Sequence, residues 1–200
     1  MEVAHISVWR RDPGRFWGFY GQRFAVLEGK RPNGAHLALA ELERRGLLDA
    51  VITQNIDGLH AAAGTREPIE VHGSVATASC LDCGASFPLE VVRERVYTDW
   101  QGVPRCDCSR PLKPDVVLFG ELLPEAAMER AYELAARADL MLCVGSSLEV
   151  WPVAELPQVT LDNGGAVAIV TIGPTPYDQR ATVKLSGDVV TELEAVVAAL

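Results

Sequence analysis

The stretch L-L-D-A-V-I-T-Q-N-I-D-G-L-H (Leu47–His60) decides how the fold is read. Its first half is an apolar run with β-branched residues, and its second half turns polar at once. An apolar strand that stops at polar residues is where an open α/β sheet places its ligands. Upstream, residues 12–46 read as helical, with Pro13 early and Phe16, Trp17, Phe19, Tyr20, Phe24 and Leu27 at mixed three- and four-residue spacings. Gly29 and R-P-N-G (Arg31–Gly34) break this span, and a second helix carrying Leu37, Leu39, Ala40 and Leu42 closes at Gly46. Downstream, regular α/β reading is expected to resume with D-V-V-L-F-G (Asp115–Gly120), followed by a helix at Pro124–Arg137. Then come A-D-L-M-L-C-V-G ending in S-S, a strand through Ala166–Thr171, K-L-S-G-D (Lys184–Asp188) and a terminal helix Val189–Leu200. Strands alternating with helical runs argue for a parallel sheet covered on both faces.

Between these parts, residues 78–111 have a different texture, with clustered cysteines, prolines and glycines and little periodicity. The expectation is an α/β protein: a Rossmann-like parallel sheet with helices on both faces, plus a small insert. Residues 1–77 and 112–200 would form the sheet domain and 78–111 the insert.

At 200 residues and 48% hydrophobic, the chain is long enough for one domain with a real core and a small insertion. Lys plus Arg number 18 against 27 acids, and a net charge of −9 repels a phosphate backbone, so direct nucleic-acid binding is not expected. The longest apolar stretches fall well short of the ~20 residues that span a bilayer, so no membrane partner is expected. The opening M-E-V-A-H-I-S-V-W-R carries an acid at once and no apolar signal core, which points to a cytoplasmic protein.

Four of the five cysteines lie close together: Cys80-Leu-Asp-Cys83 and Cys106-Asp-Cys108. A reducing compartment keeps such thiols free, and two thiolate pairs on two turns can close a tetrahedron around zinc. Four sulfurs leave no open position, so the site would be structural. The second pair, C-x-C, is one residue shorter than the commoner C-x2-C; a redox pair or unpaired core cysteines are the competing readings. Cys143, in L-M-L-C-V-G, reads as a small buried hydrophobe.

Two further constellations carry polar groups. In T-Q-N-I-D-G-L-H, Gln54, Asn55 and Asp57 at a strand end offer amides and a carboxylate to a ligand bearing an amide or hydroxyls. His72, in E-V-H-G, is a candidate general base because an unperturbed imidazole titrates near neutrality. Ordinary turn chemistry explains Asn-x-Asp-Gly as well, and a lone histidine is often structural. In V-G-S-S (Val144–Ser147), the glycine admits close backbone approach and two hydroxyls suit phosphate or ribose, while a helix cap explains the serines equally well.

Taken together and in this order, T-Q-N-I-D-G-L-H, the E-V-H-G histidine, the four cysteines, K-P-D-V-V-L-F-G-E and V-G-S-S-L-E-V-W-P resemble the sirtuins, NAD-dependent protein-lysine deacylases. The resemblance runs from Tyr20 nearly to the C-terminus. It implies that Asn55, Ile56 and Asp57 line a nicotinamide pocket with Gln54 near the ribose, and that His72 is the base activating a ribose hydroxyl. Gly145, Ser146, Ser147, Thr171 and Asp188 would hold the adenosine side of NAD. Val116, Val117, Phe119, Gly120 and Glu121 would form an edge where an acylated-lysine peptide adds as a strand. Cys80, Cys83, Cys106 and Cys108 would carry one structural zinc. The implied products are free lysine, nicotinamide and an O-acyl-ADP-ribose.

The sequence departs from the family at Thr171, usually an Asn contacting ribose, and at the front. Sirtuins carry a strand and a Gly-Ala-Gly loop ahead of the helical region, and Met1 falls after that point; the expectation is weak NAD binding by the chain as written. A non-catalytic sirtuin-like peptide-binding protein with a structural zinc is the competing reading. The segment W-G-F-Y-G-Q-R (Trp17–Arg23) puts Tyr20 and Arg23 on one helix face. By spacing alone this is an aromatic stripe with a solvated arginine. By resemblance, Tyr-x-x-Arg is similar to the desuccinylase and demalonylase branch, where the pair meets the acyl carboxylate.

Overall fold

The computed structural model describes residues 2–27 and 29–200. Met1 and Glu28, which the expected ranges 1–77 and 12–46 include, lie outside the described residues. Contacts divide the chain into two compact units: Met1–Arg31, Thr53–Gly58 and His72–Pro124 form one, and Pro32–Ile52, Leu59–Val71 and Glu125–Leu200 the other.

The first unit is built on aromatic helix and antiparallel sheet. Asp12 ends the helix Ile6–Arg11 and starts the helix Pro13–Leu27, its carboxylate accepting the Arg15 N–H at 2.9 Å. Pro13 at the first helical position loses no hydrogen bond there. Phe16, Trp17 and Phe24 turn one face of that helix into the core, where Phe16 is 0% exposed. The indole N–H groups of Trp9 and Trp17 both donate to the Leu112 carbonyl, at 3.1 and 2.9 Å, so two large rings are buried without an unpaired donor. Strands Gly73–Ser79, Ser86–Pro88 and Lys113–Val116 form an antiparallel sheet with Gly73–Ser79 in the middle, in register Ala78↔Phe87 and Ala78↔Pro114. Helix Leu89–Thr98 follows, anchored by Val92.

This corrects two expectations. The run at Asp115–Gly120 does not resume a parallel sheet: its strand, Lys113–Val116, pairs antiparallel with the strand that leads into the cysteines. Nor does 78–111 lack periodicity throughout: Leu89–Thr98 is a helix with Leu89, Val92 and Val96 at helical spacing, Val92 buried and Val96 packed against the same core.

The second unit carries the parallel sheet. Strands Leu140–Val144, Ala166–Val170 and Val183–Leu185 run parallel with Ala166–Val170 central, pairing Val144↔Val170 and Val170↔Leu185. Alternate side chains point to opposite faces. Leu142, Val144, Val170 and Leu185 pack with Leu39 and Leu42 of the helix Gly34–Arg44 and Leu193 of the helix Val189–Ala199. Met141, Cys143, Val167 and Ile169 pack instead with Leu148, Tyr177 and Leu161, the last on the helix Leu156–Asp162. Helices therefore cover both faces, as the alternation of strands and helical runs predicts. The expected strand at Leu47–Thr53 shortens to Ile52–Thr53, beside Ile69–Glu70, with the Ile69 N–H on the Val51 carbonyl at 2.8 Å. Among the described residues, no helix is long and apolar enough to cross a membrane.

Helix ends are sealed by side chains. Asn33 and His36 form a reciprocal cap on Gly34–Arg44, and Asp188 accepts the Val190 and Thr191 N–H groups at the start of Val189–Ala199. Leu193 is 0% exposed at the contact of these two helices with the sheet. Leu193→Ala should cost ~2–5 kcal/mol of stability through lost burial and a residual cavity, read from urea unfolding; a loss below ~1 kcal/mol would show that this contact does not anchor the core.

Candidate active site and cysteine cluster

In the first unit the chain leaves Thr53 in a tight, hydrogen-bonded path. The Asn55 N–H donates to Thr53 Oγ1 at 3.1 Å, and the Ile56 carbonyl accepts the Val75 N–H at 3.0 Å. This fastens Gln54–Asp57 beside the central antiparallel strand. His72 lies against the same segment, its Nδ1 3.2 Å from the Gln54 carbonyl oxygen. A carbonyl can only accept, so Nδ1 carries the proton and Nε2 is left with the lone pair a general base needs.

The backbone of His72 is fixed as firmly as its ring. Its carbonyl accepts the Val117 N–H at 2.8 Å. Gly73 has φ +72°, and a Cβ there would lie 2.1 Å from the Asp115 carbonyl oxygen, so only glycine fits. The Asp115 carboxylate in turn accepts the hydroxyls of Thr77 at 2.5 Å and Ser79 at 2.9 Å, locking the two strands in register.

Residues 116–121 extend from that strand. Val116 is buried in the aromatic core, and Phe119 pairs in parallel fashion with His5. The Phe119 carbonyl accepts the Ile6 N–H and its N–H donates to the Ala4 carbonyl, both at 3.0 Å, so both its backbone groups are already used. Gly120 has φ +87° and Glu121 receives the Leu118 N–H at 2.9 Å. Sequence reasoning missed Lys113, although K-P-D-V-V-L-F-G-E begins with it: the side chain is buried and ion-paired to Glu121 at 2.8 Å. The available signal was a lysine opening an apolar strand.

Tyr20 stacks on Phe16, with centroids 4.6 Å apart, and Phe19 meets it edge-on at 5.3 Å. Burial raises the Tyr20 phenol above its ordinary pKa, with the Arg23 charge acting in the opposite sense. The Arg23 side chain is exposed, its guanidinium 4.3 Å over the Phe19 ring.

The cysteines form the tightest cluster. The sulfurs of Cys80, Cys83, Cys106 and Cys108 all lie within 4.8 Å of one another, with Cys80–Cys108 and Cys83–Cys106 at 3.5 Å and Cys83–Cys108 at 3.7 Å. Four thiolates ~2.3 Å from one zinc sit about 3.8 Å apart, so the group fits the ion. Donation from the Cys83 N–H, against desolvation and with help from the Asp82 N–H, lowers the Cys80 thiol to about 7. At Cys83 the Ala85 N–H favours the thiolate, but hydrogen bonds with Cys106, Cys80 and Cys108 outweigh it and push that thiol up to about 12. The short knuckle is braced by Arg95, which holds Asp107 at 2.8 Å and the Arg105 carbonyl at 2.6 Å, its guanidinium 4.1 Å over Phe87.

In the second unit, Gly145–Ser147, Thr171 and Asp188 collect at the carboxyl ends of the three neighbouring parallel strands. This is the edge at which open α/β sheets bind ligands. Gly145 has φ +61° and donates its N–H to the Val170 carbonyl at 2.8 Å, while the Thr171 N–H reaches the Leu185 carbonyl at 3.0 Å. The Ser146 hydroxyl accepts the Leu148 N–H at 3.1 Å within a turn that starts no helix, and Asp188 spends its carboxylate on the helix cap.

Comparison with known proteins identifies the family. Residues 1–152 match the Sir2 family. The chain is 47% identical over 184 residues to an NAD-dependent protein deacetylase of Caldivirga maquilingensis, covering 92% of this chain and 70% of the relative. It is 45% identical over 168 residues to an NAD-dependent protein deacylase of Thermococcus sibiricus, covering 83% and 66%. Sir2 bound to an acetylated peptide superposes with a TM-score of 0.94 at 40% identity, covering 98% of this chain and 82% of that one. Sir2Tm bound to a propionylated peptide does so at 0.94 and 41%, covering 98% and 83%. The chain belongs to the Sir2 family, with its α/β fold and four-cysteine cluster.

Metal analysis should give close to one zinc per chain, and Cys80→Ala should abolish it. Arg95→Met should weaken zinc retention by ~10–100-fold, followed with a colorimetric chelator, because it frees the knuckle that aims Cys106 and Cys108. A wild-type rate of zinc loss in that variant would reject the bracing role.

Proposed function

We propose that the reaction these residues serve is NAD-dependent removal of acyl groups from protein lysine, with succinyl and malonyl groups favoured over acetyl. The observation that carries the reading is His72, its Nδ1 held by the Gln54 carbonyl and its backbone tied to Val117, so that one ring nitrogen is kept as a base at a fixed place. NAD would supply the ribose carbon that accepts the acyl oxygen and the nicotinamide that leaves; one water would then add to the acyl carbon, breaking its bond to the lysine nitrogen and giving free lysine and O-acyl-ADP-ribose. Gln54, Asn55, Ile56 and Asp57 would line the nicotinamide end, and Nε2 of His72 would take the proton of a ribose hydroxyl. In the second unit, Gly145, Ser146, Ser147 and Thr171 would meet the adenosine side, with Asp188 fixing the start of a helix there.

Val116, Val117, Phe119, Gly120 and Glu121 would receive the acylated peptide, the class of partner held by the related Sir2 structures. The four cysteines would hold zinc as a staple with no part in the chemistry. A reducing cytoplasm suits thiols kept for a metal.

The acyl preference rests on Tyr20 and Arg23. A succinyl-lysine ends in a carboxylate, which a guanidinium grips through two parallel charge-assisted hydrogen bonds while a phenol adds another. Arg23 is poised over Phe19, one turn from a Tyr20 whose hydroxyl stays protonated. An acetyl methyl offers that pair nothing.

His72→Ala should lower nicotinamide release from NAD and an acyl-lysine peptide by ~10²–10⁴-fold. Unchanged turnover would reject the base. Arg23→Met should lower kcat/KM for a succinyl peptide by about thirtyfold, worth ~2 kcal/mol, and leave the matched acetyl peptide nearly unaffected. Equal losses on both peptides would make Arg23 structural.

A further inference from the structure

Lys113 is the one buried lysine among the described residues, and lysine is seldom buried unless paired. Its ammonium has three N–H groups and finds three oxygens: the Val116 carbonyl at 2.8 Å, the Pro114 carbonyl at 3.1 Å and Glu121 Oε2 at 2.8 Å. The same carboxylate oxygen accepts the Leu118 N–H at 2.9 Å, and the Glu121 N–H returns to the Leu118 carbonyl at 3.0 Å. One charge therefore ties the end of the strand Lys113–Val116 to Glu121 and closes residues 117–120 into a loop.

We propose that Lys113 is a positioning residue for the peptide substrate: its buried ammonium, clamped to Glu121 and the Pro114 and Val116 carbonyls, shapes the 117–121 segment on which an acyl-lysine peptide lies. This rests on the reading that 116–121 receives the peptide. Phe119 is held from one side by Ala4 and Ile6, Val117 by His72, and the Leu118 side chain by the aromatic core. The clamp adds the polar tie to Glu121, whose carboxylate meets both the ammonium and the Leu118 N–H. Around the loop, the Phe119 ring and the Leu122 side chain are 59% and 94% exposed, so its outer surface is open to a partner.

Removing the ammonium leaves two carbonyls without their donor and a half-buried carboxylate without its counter-charge, and Glu121 is then drawn to water. The loop loosens, and an extended peptide must order it on binding. The substituted protein should therefore lose affinity for peptide rather than for cofactor. Arginine keeps the charge but not the compact three-way fit, so it restores part of the effect.

The test compares wild type, Lys113→Met, Lys113→Arg and Glu121→Gln, using a fluorescent acetyl-lysine peptide and NAD as separate probes. Zinc content and near-ultraviolet circular dichroism establish that each variant is folded. Lys113→Met and Glu121→Gln are each expected to raise the peptide Kd about tenfold or more, with the NAD affinity of each variant within about twofold of wild type. Lys113→Arg should fall between Lys113→Met and wild type. If Lys113→Met does not fold, Lys113→Arg carries the comparison, since it disturbs the same ion pair without altering a residue of the 116–121 segment, and a peptide Kd equal to wild type in that folded variant would overturn the proposal. Lower melting temperatures with peptide Kd unchanged in the folded variants would overturn the proposal and make the clamp purely structural. Hydrogen exchange on wild type separates the two ideas: if bound peptide fails to protect residues 116–121, the peptide site itself is misassigned.

Discussion

The passage of Gly73 over the Asp115 carbonyl is the constraint on which the candidate active site depends. A Cβ would come within 2.1 Å of that oxygen, so the two strands approach this closely only because residue 73 has no side chain. That approach lets the His72 carbonyl meet the Val117 N–H, which joins the histidine to the segment ending at Glu121. The ring is then oriented by the Gln54 carbonyl. Three short segments distant in sequence thus meet through backbone atoms, and the side chains that would do chemistry are carried on a frame with little freedom.

The first unit holds this frame with few residues and two separate devices. One is the aromatic packing around Phe16, where the indoles of Trp9 and Trp17 share the Leu112 carbonyl as their polar anchor. The other is the cysteine cluster at the far ends of the antiparallel strands, where Cys80 and Cys106 join the same core while Cys83 and Cys108 face solvent. A small antiparallel sheet rarely supplies enough burial alone, and a metal closed on four thiolates adds stability that apolar area does not provide. The second unit needs no such staple. Its sheet is packed on alternate sides by two different sets of helices, and the ligand edge follows from the parallel direction of the strands.

Much of this architecture is legible in the amino-acid sequence. The spacing of the cysteines announces a tetrahedral cluster because metal ligation demands neighbouring thiols on short turns, and such turns are local. The break at Gly29 and Arg31–Gly34 is visible for the same reason. The strands Leu140–Val144 and Ala166–Val170 can be read because a parallel strand covered by helices on both faces is apolar along its whole length. Less can be read where a short element depends on distant partners. The strand Lys113–Val116 looks in sequence like the start of another parallel unit, yet pairing with Gly73–Ser79 makes it antiparallel. Helix Leu89–Thr98, with one buried side chain, shows only the short series Leu89, Val92 and Val96 among charged residues.

Residue types and their order belong to the sequence: a histidine before a glycine, four clustered thiols, and a polar turn after an apolar run. Those choices fix what chemistry is available, because donors, acceptors and charges belong to the side chains. Folding decided which nitrogen of His72 is spent on Gln54, that Asp188 is consumed as a helix cap, and that Lys113 is drawn into the interior beside Glu121. Each depends on a carbonyl, an amide or a counter-charge brought near by the tertiary structure, and a string of side-chain identities does not encode those backbone positions one residue at a time.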